Sequence, residues 1–242
     1  FQVQPNAPTV CAAFQDALQA VIGVRPDVKG CSRTDAGVHA LDFALNLRYD
    51  GPIPPRRLVL AVNAHLPPDI RVKSIRPVPD DFHARYAAHA KTYCYRIRNS
   101  GIDDPFDLDT CWRIAGPLDA DAMQAVADRL VGRHDFLAFC AAGSGPAAHG
   151  DTVRTITRCE VRRQGEVITI TVTADGYLYN MVRILAGTLA EAGRGKLGPD
   201  DIDEILNSRD RRRAGPTLPA KGLFLVRVDY PDQALALPDA GQ

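Results

Sequence analysis

The spacing of apolar residues predicts a helix, a strand and a second helix in the first quarter of the chain. Between residues 10 and 22, apolar positions recur at helical spacing, with Thr9 as the N-cap and Gly23 as the stop. Residues 43–49 alternate apolar with polar or small positions, which indicates a strand. A shorter helix is predicted after Pro54 and Pro55, and it ends at Leu66.

Two more strands are predicted before a segment rich in turn formers. Ile70 and Val72 indicate a short strand. The stretch "KTYCYRIRN" (residues 91–99) alternates apolar residues on one face with polar residues on the other, as a strand does. Residues 99–109, "NSGIDDPFDLD", combine turn formers with acids and mark the best candidate for a domain boundary.

The second half of the chain repeats this mixture of helices and hairpin-like strands. Residues 123–130 have helical spacing, and the strand-like runs 152–163 and 166–174 flank the turn "RQGE". A helix is predicted over residues 180–193, and a last strand over residues 221–230. Neither half shows the strict strand and helix alternation of a parallel sheet.

These patterns predict an α+β protein. We expect two related α/β subdomains, residues 1–104 and 105–231, that share a mainly antiparallel central sheet with flanking helices. Residues 232–242 are small and polar and are predicted to form a loose tail.

Composition adds the expectation of a cytoplasmic protein that does not cross a membrane. The 242 residues are 45% hydrophobic and 24% charged, which is ordinary for a globular protein. No apolar run approaches the roughly 18 residues of a membrane span, and no leader pattern begins the chain, so we expect it not to be exported. The 6 cysteines form no C-x-x-C pair, which argues for reduced thiols rather than a zinc site or a disulfide framework.

Charge distribution is more informative than net charge, which is zero. A neutral chain gives no bulk electrostatic support for a nucleic-acid partner. The arginines nevertheless recur in clusters, and a guanidinium matches a phosphate bidentately, although each cluster taken alone is more typical of a solvated face. The clusters are Arg56 and Arg57; Arg71, Lys73 and Arg76; Arg154, Arg158, Arg162 and Arg163; and Arg209 with Arg211, Arg212 and Arg213.

The segment "CSRTDAGVHA" (residues 31–40) concentrates chemically active side chains in a stretch with little periodicity. Asp35 precedes Ala36 and Gly37, at a turn where the backbone can approach a ligand closely. An aspartate near a glycine also caps turns, so Asp35 alone indicates little. Arg33 is a cation two residues away that can hold a carboxylate ionised.

An aspartic protease is excluded as the explanation of this D-A-G triplet. Such enzymes need two carboxylates that share a proton, each followed by a hydroxyl residue. Here Ala36 follows the aspartate, and no second D-x-G with a hydroxyl in the middle occurs in the chain.

Four segments in order resemble the tRNA pseudouridine synthase A family. "RTDAGVHA" (residues 33–40) is similar to the signature around the family's catalytic aspartate, and "FHARYAAHAKTYCYRI" (residues 82–97) to the F-H-A-R segment that leads into a strand with an active-site tyrosine. "GYLYNMVRILAGTL" (residues 176–189) resembles its M-V-R helix, and "GPTLPAKGLFLVRVDYP" (residues 215–231) its C-terminal strand. The resemblance covers residues 1–231 and implies the pseudouridine synthase fold.

The resemblance implies a role for four residues and requires no metal or cofactor. Asp35 matches the catalytic aspartate, Arg183 the arginine that pairs with it, Tyr93 the tyrosine that packs on the target base, and Arg33 the arginine that replaces the flipped nucleotide. Without the resemblance, Tyr93 would be interpreted as a core aromatic and Arg183 as a surface residue.

The resemblance further implies a tRNA substrate, with uridines 38, 39 and 40 of the anticodon stem-loop as targets, and a homodimer. Two alternatives are a non-catalytic RNA-binding module and a sibling synthase that acts on another RNA. The family's first strand, with Y-D-G and G-W-Q, has no counterpart, and Phe1 stands in the place of the tryptophan. We therefore expect an exposed sheet edge and a weakened first subdomain.

Overall fold

The computed structural model describes residues 1–141 and 150–237, which form helices packed with β-sheet. In chain order the helices and strands are α1 (Val10–Ile22), β1 (Lys29–Gly30), β2 (His39–Ala40), β3 (Leu45–Asn46), α2 (Pro55–His65), β4 (Ala90–Arg98), β5 (Trp112–Arg113), α3 (Ala120–Arg129), β6 (Gly132–Asp135), β7 (Val153–Gln164), β8 (Val167–Ala174), α4 (Met181–Gly193), α5 (Pro199–Ser208), β9 (Leu223–Asp229) and α6 (Asp232–Leu235).

The chain groups into two compact units that are not continuous in sequence. The first unit comprises Phe1–Ala36, Phe43–His89 and the residues from Asp229 onward, and the second comprises Gly37–Asp42 and Ala90–Val228. The predicted division near residue 104 stays a prediction. Of the predicted loose tail, residues 232–235 form the short helix α6, and residues 238–242 lie outside the described residues.

The first unit is built from two helices and a two-stranded ladder. Thr9 caps α1 by accepting a hydrogen bond from the Ala12 amide, and Gly23 ends the helix in the left-handed conformation, as predicted. Strands β1 and β3 pair antiparallel. The core is contributed mainly by the facing sides of α1 and α2 and comprises Phe14, Ala17, Leu18, Leu58, Val62 and Leu66.

The second unit contains a seven-stranded sheet in the order β2-β9-β4-β8-β7-β6, with β5 paired to β4. The pairs β4–β8, β7–β8 and β6–β7 are antiparallel, whereas β2–β9 and β4–β5 are parallel. Helix α4 is buried at eleven of its thirteen residues, because it packs against α3 and the sheet. The α+β class and the mainly antiparallel sheet predicted from the sequence are confirmed.

Two of the predicted strands were wrong, at least in part. Only Leu45–Asn46 of the predicted strand 43–49 pairs, because β1 offers a ladder just two residues long. No strand forms at Ile70 and Val72. There, the side-chain amide of Asn63 donates to the Val72 carbonyl and accepts from the Val72 amide, at 2.8 Å each. These two hydrogen bonds replace those that a neighbouring strand would make.

Candidate functional site

Asp35 and Arg33 lie in an irregular segment of the first unit. The segment begins directly after β1 with Cys31, whose amide donates to the Ala44 carbonyl at 2.9 Å and fixes the start of the segment. Asp35 is half-buried and Arg33 is exposed. Gly37 follows with a φ of 80°, a conformation that glycine adopts without strain, so the turn predicted after Asp35 is present.

Beyond Gly37 the chain belongs to the second unit, and His39 anchors it there. The His39 ring stacks on Phe224, with centroids 4.5 Å apart and an interplanar angle of 17°. Its Nε2 atom lies 2.8 Å from the Asp109 carbonyl oxygen. Both contacts, together with the pairing of β2 with β9, give His39 a structural role.

Tyr93 lies on β4, opposite Val172 of β8, and its side chain is 6% exposed. Its ring meets the Tyr177 ring edge to face, at 4.9 Å between centroids and 80° between planes. The Tyr177 hydroxyl lies 2.8 Å from the carbonyls of both Lys91 and Val172, and burial raises its pKa well above the ordinary value. Tyr177 is thus a neutral donor that braces the β4–β8 ladder beside Tyr93.

Arg183 lies in the first turn of α4 and is half-buried rather than a surface residue. Its Nε donates to the Leu218 carbonyl at 2.6 Å, and its Nη1 donates to the Asn180 Oδ1 at 2.7 Å. Both acceptors are neutral, so they orient the guanidinium plane without cancelling its charge.

A close backbone crossing holds the Leu218 segment against α4. A Cβ atom on Gly187 would lie 1.8 Å from the Pro216 carbonyl oxygen, and one on Gly215 would lie 2.5 Å from the Thr188 nitrogen. The Gly215 amide donates to the Thr188 hydroxyl at 2.9 Å across the same crossing. Only glycine permits this approach at both positions.

Tyr95, two residues along β4 from Tyr93, fixes the next part of the same segment. Its side chain is fully buried, and its hydroxyl donates to the Pro219 carbonyl at 2.7 Å. Burial raises the pKa of this hydroxyl, so it remains a neutral donor. Tyr95 is therefore a core aromatic with a structural hydrogen bond.

The structure also shows two features that sequence reasoning missed, Asn180 beside Arg183 and the exposed ring of Tyr86. Tyr86 is 76% exposed, contacts the His83 ring at 4.3 Å between centroids, and lies 5.7 Å from the Arg85 guanidinium. Asn46 holds the preceding backbone in place, since its side chain donates to the Phe82 carbonyl and accepts from the Ala84 amide. The residues "FHARY" (82–86) show no apolar periodicity from which the exposure of Tyr86 could be predicted.

Residues 1–141 and 150–237 contain no candidate metal site, and five of their thiols are poorly suited to act as nucleophiles. No group of three or more His, Cys, Asp or Glu side chains there could hold a metal ion. Burial raises the pKa of the Cys159 thiol to about 12, and it also raises the pKa values of Cys11, Cys94, Cys111 and Cys140, which disfavours their thiolates. None of the helices in this part of the chain is long and apolar enough to cross a membrane.

Comparison with known proteins gives consistent matches over nearly the whole chain. The family described as tRNA pseudouridine synthase matches residues 1–87 and 126–231. The chain is 42% identical over 230 residues to tRNA pseudouridine synthase A of Thermoanaerobacter sp. strain X514, covering 95% of this chain and 93% of that protein. The proteins of the same name from Moorella thermoacetica and Shouchella clausii are 44% identical over 232 and 231 residues; both alignments cover 95% of this chain, and they cover 93% and 87% of those proteins.

Proposed function

The chain belongs to the tRNA pseudouridine synthase family and isomerises uridine to pseudouridine in tRNA, and we propose that its targets are uridines 38, 39 and 40 of the anticodon stem-loop. The reaction breaks the bond between C1′ and N1, turns the uracil, and joins C1′ to C5, from which a proton then leaves. A carboxylate that acts on the sugar is the protein group this chemistry needs.

Asp35 is the carboxylate we assign to that step. It is half-buried, beside a turn that Gly37 makes possible. Attack of its carboxylate on C1′ and removal of the 2′ proton to give a glycal both use this one group. Arg183 is assigned as the cation that pairs with Asp35, as the family resemblance implies, and its Nε and Nη1 atoms are oriented by two neutral acceptors.

Tyr93 and Arg33 are assigned to the RNA. Arg33 is exposed, as a side chain that replaces a flipped nucleotide must be. Tyr93 is only 6% exposed, so its ring has to gain exposure when RNA binds if an extruded base is to stack on it. Tyr86, already exposed with Arg85 and His83 beside it, offers a second stacking surface for an RNA base.

In this proposal, the enzyme acts on tRNA as a homodimer in the cytoplasm. A dimer lets basic faces of two subunits line one RNA-binding surface although the net charge of each chain is zero. Sedimentation of the purified protein, with and without tRNA, tests this part of the proposal: a mass of one chain in both samples would contradict it.

Mapping the modified nucleotides tests the target positions. Unmodified tRNA transcripts that carry a single uridine at position 38, 39 or 40 are incubated with the enzyme, and pseudouridine is located by carbodiimide adducts that stop primer extension. We expect stops at these positions and none at uridines outside the anticodon arm. Stops elsewhere in the tRNA, or in another RNA only, would favour the sibling synthase over our proposal.

A further inference from the structure

Asn180 has an unusual backbone conformation directly before α4. Its φ and ψ are 60° and 7°, in the left-handed region, and among the described residues only Arg209 is another non-glycine residue with a positive φ. This conformation costs free energy for any residue with a side chain, and asparagine tolerates it best. This cost in free energy at one position calls for a compensating contact of the side chain or backbone.

The side chain of Asn180 does not cap the helix it precedes. An asparagine at the N-cap ordinarily accepts a hydrogen bond from an amide of the first turn, yet α4 has no such side-chain cap bond. The Asn180 carbonyl does accept the first helical hydrogen bond, from the Ile184 amide at 3.0 Å. Its Oδ1 instead accepts a hydrogen bond from Arg183 Nη1 at 2.7 Å.

Asn180 and Leu218 together define the plane of the Arg183 guanidinium. The Leu218 carbonyl accepts a hydrogen bond from Nε at 2.6 Å, and Asn180 Oδ1 accepts one from Nη1 at 2.7 Å. Two points of a rigid, planar group are thereby fixed. The Leu218 acceptor is itself immobilised by the crossing of Gly187 and Gly215 with the neighbouring backbone. The Leu218 acceptor is a backbone carbonyl, whereas the Asn180 acceptor belongs to a side chain, so only the latter can be removed by substitution.

We propose that Asn180 is a positioning residue that fixes the Arg183 side chain for the isomerisation. The inference rests on the role proposed above for Arg183. A purely structural Asn180, needed only to start α4, would affect the stability of the fold rather than the chemical step. The two explanations therefore differ in what a substitution changes.

Asn180→Gly separates them, because glycine adopts the left-handed conformation without strain and removes only the amide. We expect kcat for tRNA to fall about tenfold, which corresponds to about 1.4 kcal/mol, with KM within about twofold of the parent and an unchanged thermal midpoint to within a few degrees. Arg209→Gly is the control for the backbone change, since it relieves the same conformation at the other left-handed position; because it also removes the ion pair of Arg209 with Asp135, only its kcat is compared. We expect the kcat of the control to stay at the parent value.

A double-mutant cycle with Arg183→Lys shows whether Asn180 acts through the arginine. Lysine lacks the planar fork that Asn180 orients. Adding Asn180→Gly to Arg183→Lys should therefore reduce kcat by less than twofold. An equal tenfold loss in both backgrounds, or a parent-like kcat for Asn180→Gly alone, would overturn the inference. A parent-like kcat for Arg183→Lys would overturn the proposed role of Arg183 as well, whereas a low kcat for Arg183→Lys with a parent-like Asn180→Gly would overturn only the role of Asn180.

Discussion

The hydroxyl of Tyr95 is a buried polar group whose hydrogen bond ties β4 to the segment around Pro219. Tyr95→Phe keeps the ring but leaves the Pro219 carbonyl without this donor, and we expect a loss of about 1–2 kcal/mol in the free energy of unfolding. Urea denaturation measures it. Tyr86→Phe, at an exposed ring, is the control and should change stability by less than about 0.5 kcal/mol. Equal effects of the two substitutions would contradict this account.

Asp107 makes stability depend on pH through its contact with Arg98. The Arg98 side chain donates to Asp107 at 2.8 Å, and this hydrogen bond holds the pKa of the Asp107 carboxyl below its ordinary value. A carboxyl with a lowered folded-state pKa stabilises the fold above its unfolded-state pKa of about 3.9, and the contribution is lost as the pH falls through the lowered value. The urea midpoint of the parent should therefore exceed that of Asp107→Asn at about pH 6, with the gap shrinking towards about pH 2. A gap that stays constant over this range would show that the contact is not electrostatic.

The turn after Asp35 was predictable from the sequence, whereas the contacts that hold Arg183 were not. The glycine two residues after Asp35 predicted this turn, and Gly37 does take a positive φ. The partners of Arg183 escaped prediction because Leu218 contributes a backbone atom from a distant segment. Asn180 contributes a side chain whose direction depends on a left-handed backbone that no local pattern reveals.

Among the elements, α4 depends on its contact with the segment that follows Ala214. A methyl group at Gly187 would lie 1.8 Å from the Pro216 oxygen, a backbone atom that can move only together with its segment. We expect Gly187→Ala to lower the free energy of unfolding by about 3 kcal/mol and to reduce kcat, because the Leu218 acceptor of Arg183 shifts with the segment. Gly101→Ala, where a Cβ atom meets nothing within 4 Å, is the control. Equal thermal midpoints for both variants would contradict the close crossing.

Helices and long strands followed their apolar periodicity closely, whereas short strands did not. The helix predicted over residues 180–193 is observed as Met181–Gly193, and the strand predicted over residues 91–99 as Ala90–Arg98. The strand expected at Ile70 and Val72 failed because the Asn63 side chain replaced a strand partner. Helix α5 was missed, although Pro199 at its first turn and Asp201, which accepts from the Gly198 amide at 2.6 Å, are ordinary start signals.

For the molecule as a whole, the exposed arginines of two clusters differ in their surroundings. Arg158 and Arg162 both pair with Glu160 on β7. Arg56 and Arg57 are exposed in the first turn of α2, where positive charge interacts unfavourably with the helix dipole. These two charges therefore do not stabilise the helix. Contact with RNA phosphates is the function we assign to this pair.

Salt dependence of tRNA binding tests that assignment. Replacing Arg56 and Arg57 by alanine should reduce the slope of log K against log salt concentration by about 1–2, since each lost phosphate contact removes about 0.9. Replacing Arg158 and Arg162 by alanine should leave the slope nearly unchanged, because Glu160 already neutralises part of their charge. The reverse ranking of the two double variants would place the phosphate contacts on β7 instead.

The central claim is that Asp35 carries out the isomerisation, and release of tritium from tRNA labelled at C5 of uridine tests it most directly. The label must leave C5 when the new carbon–carbon bond forms, so its release reports the chemical step itself. We expect release by the parent protein and by Asp50→Asn, a control at an exposed aspartate of the same unit, and none above background by Asp35→Asn that still folds and binds tRNA. Release by Asp35→Asn at the parent rate would contradict the account and move the catalytic carboxylate elsewhere.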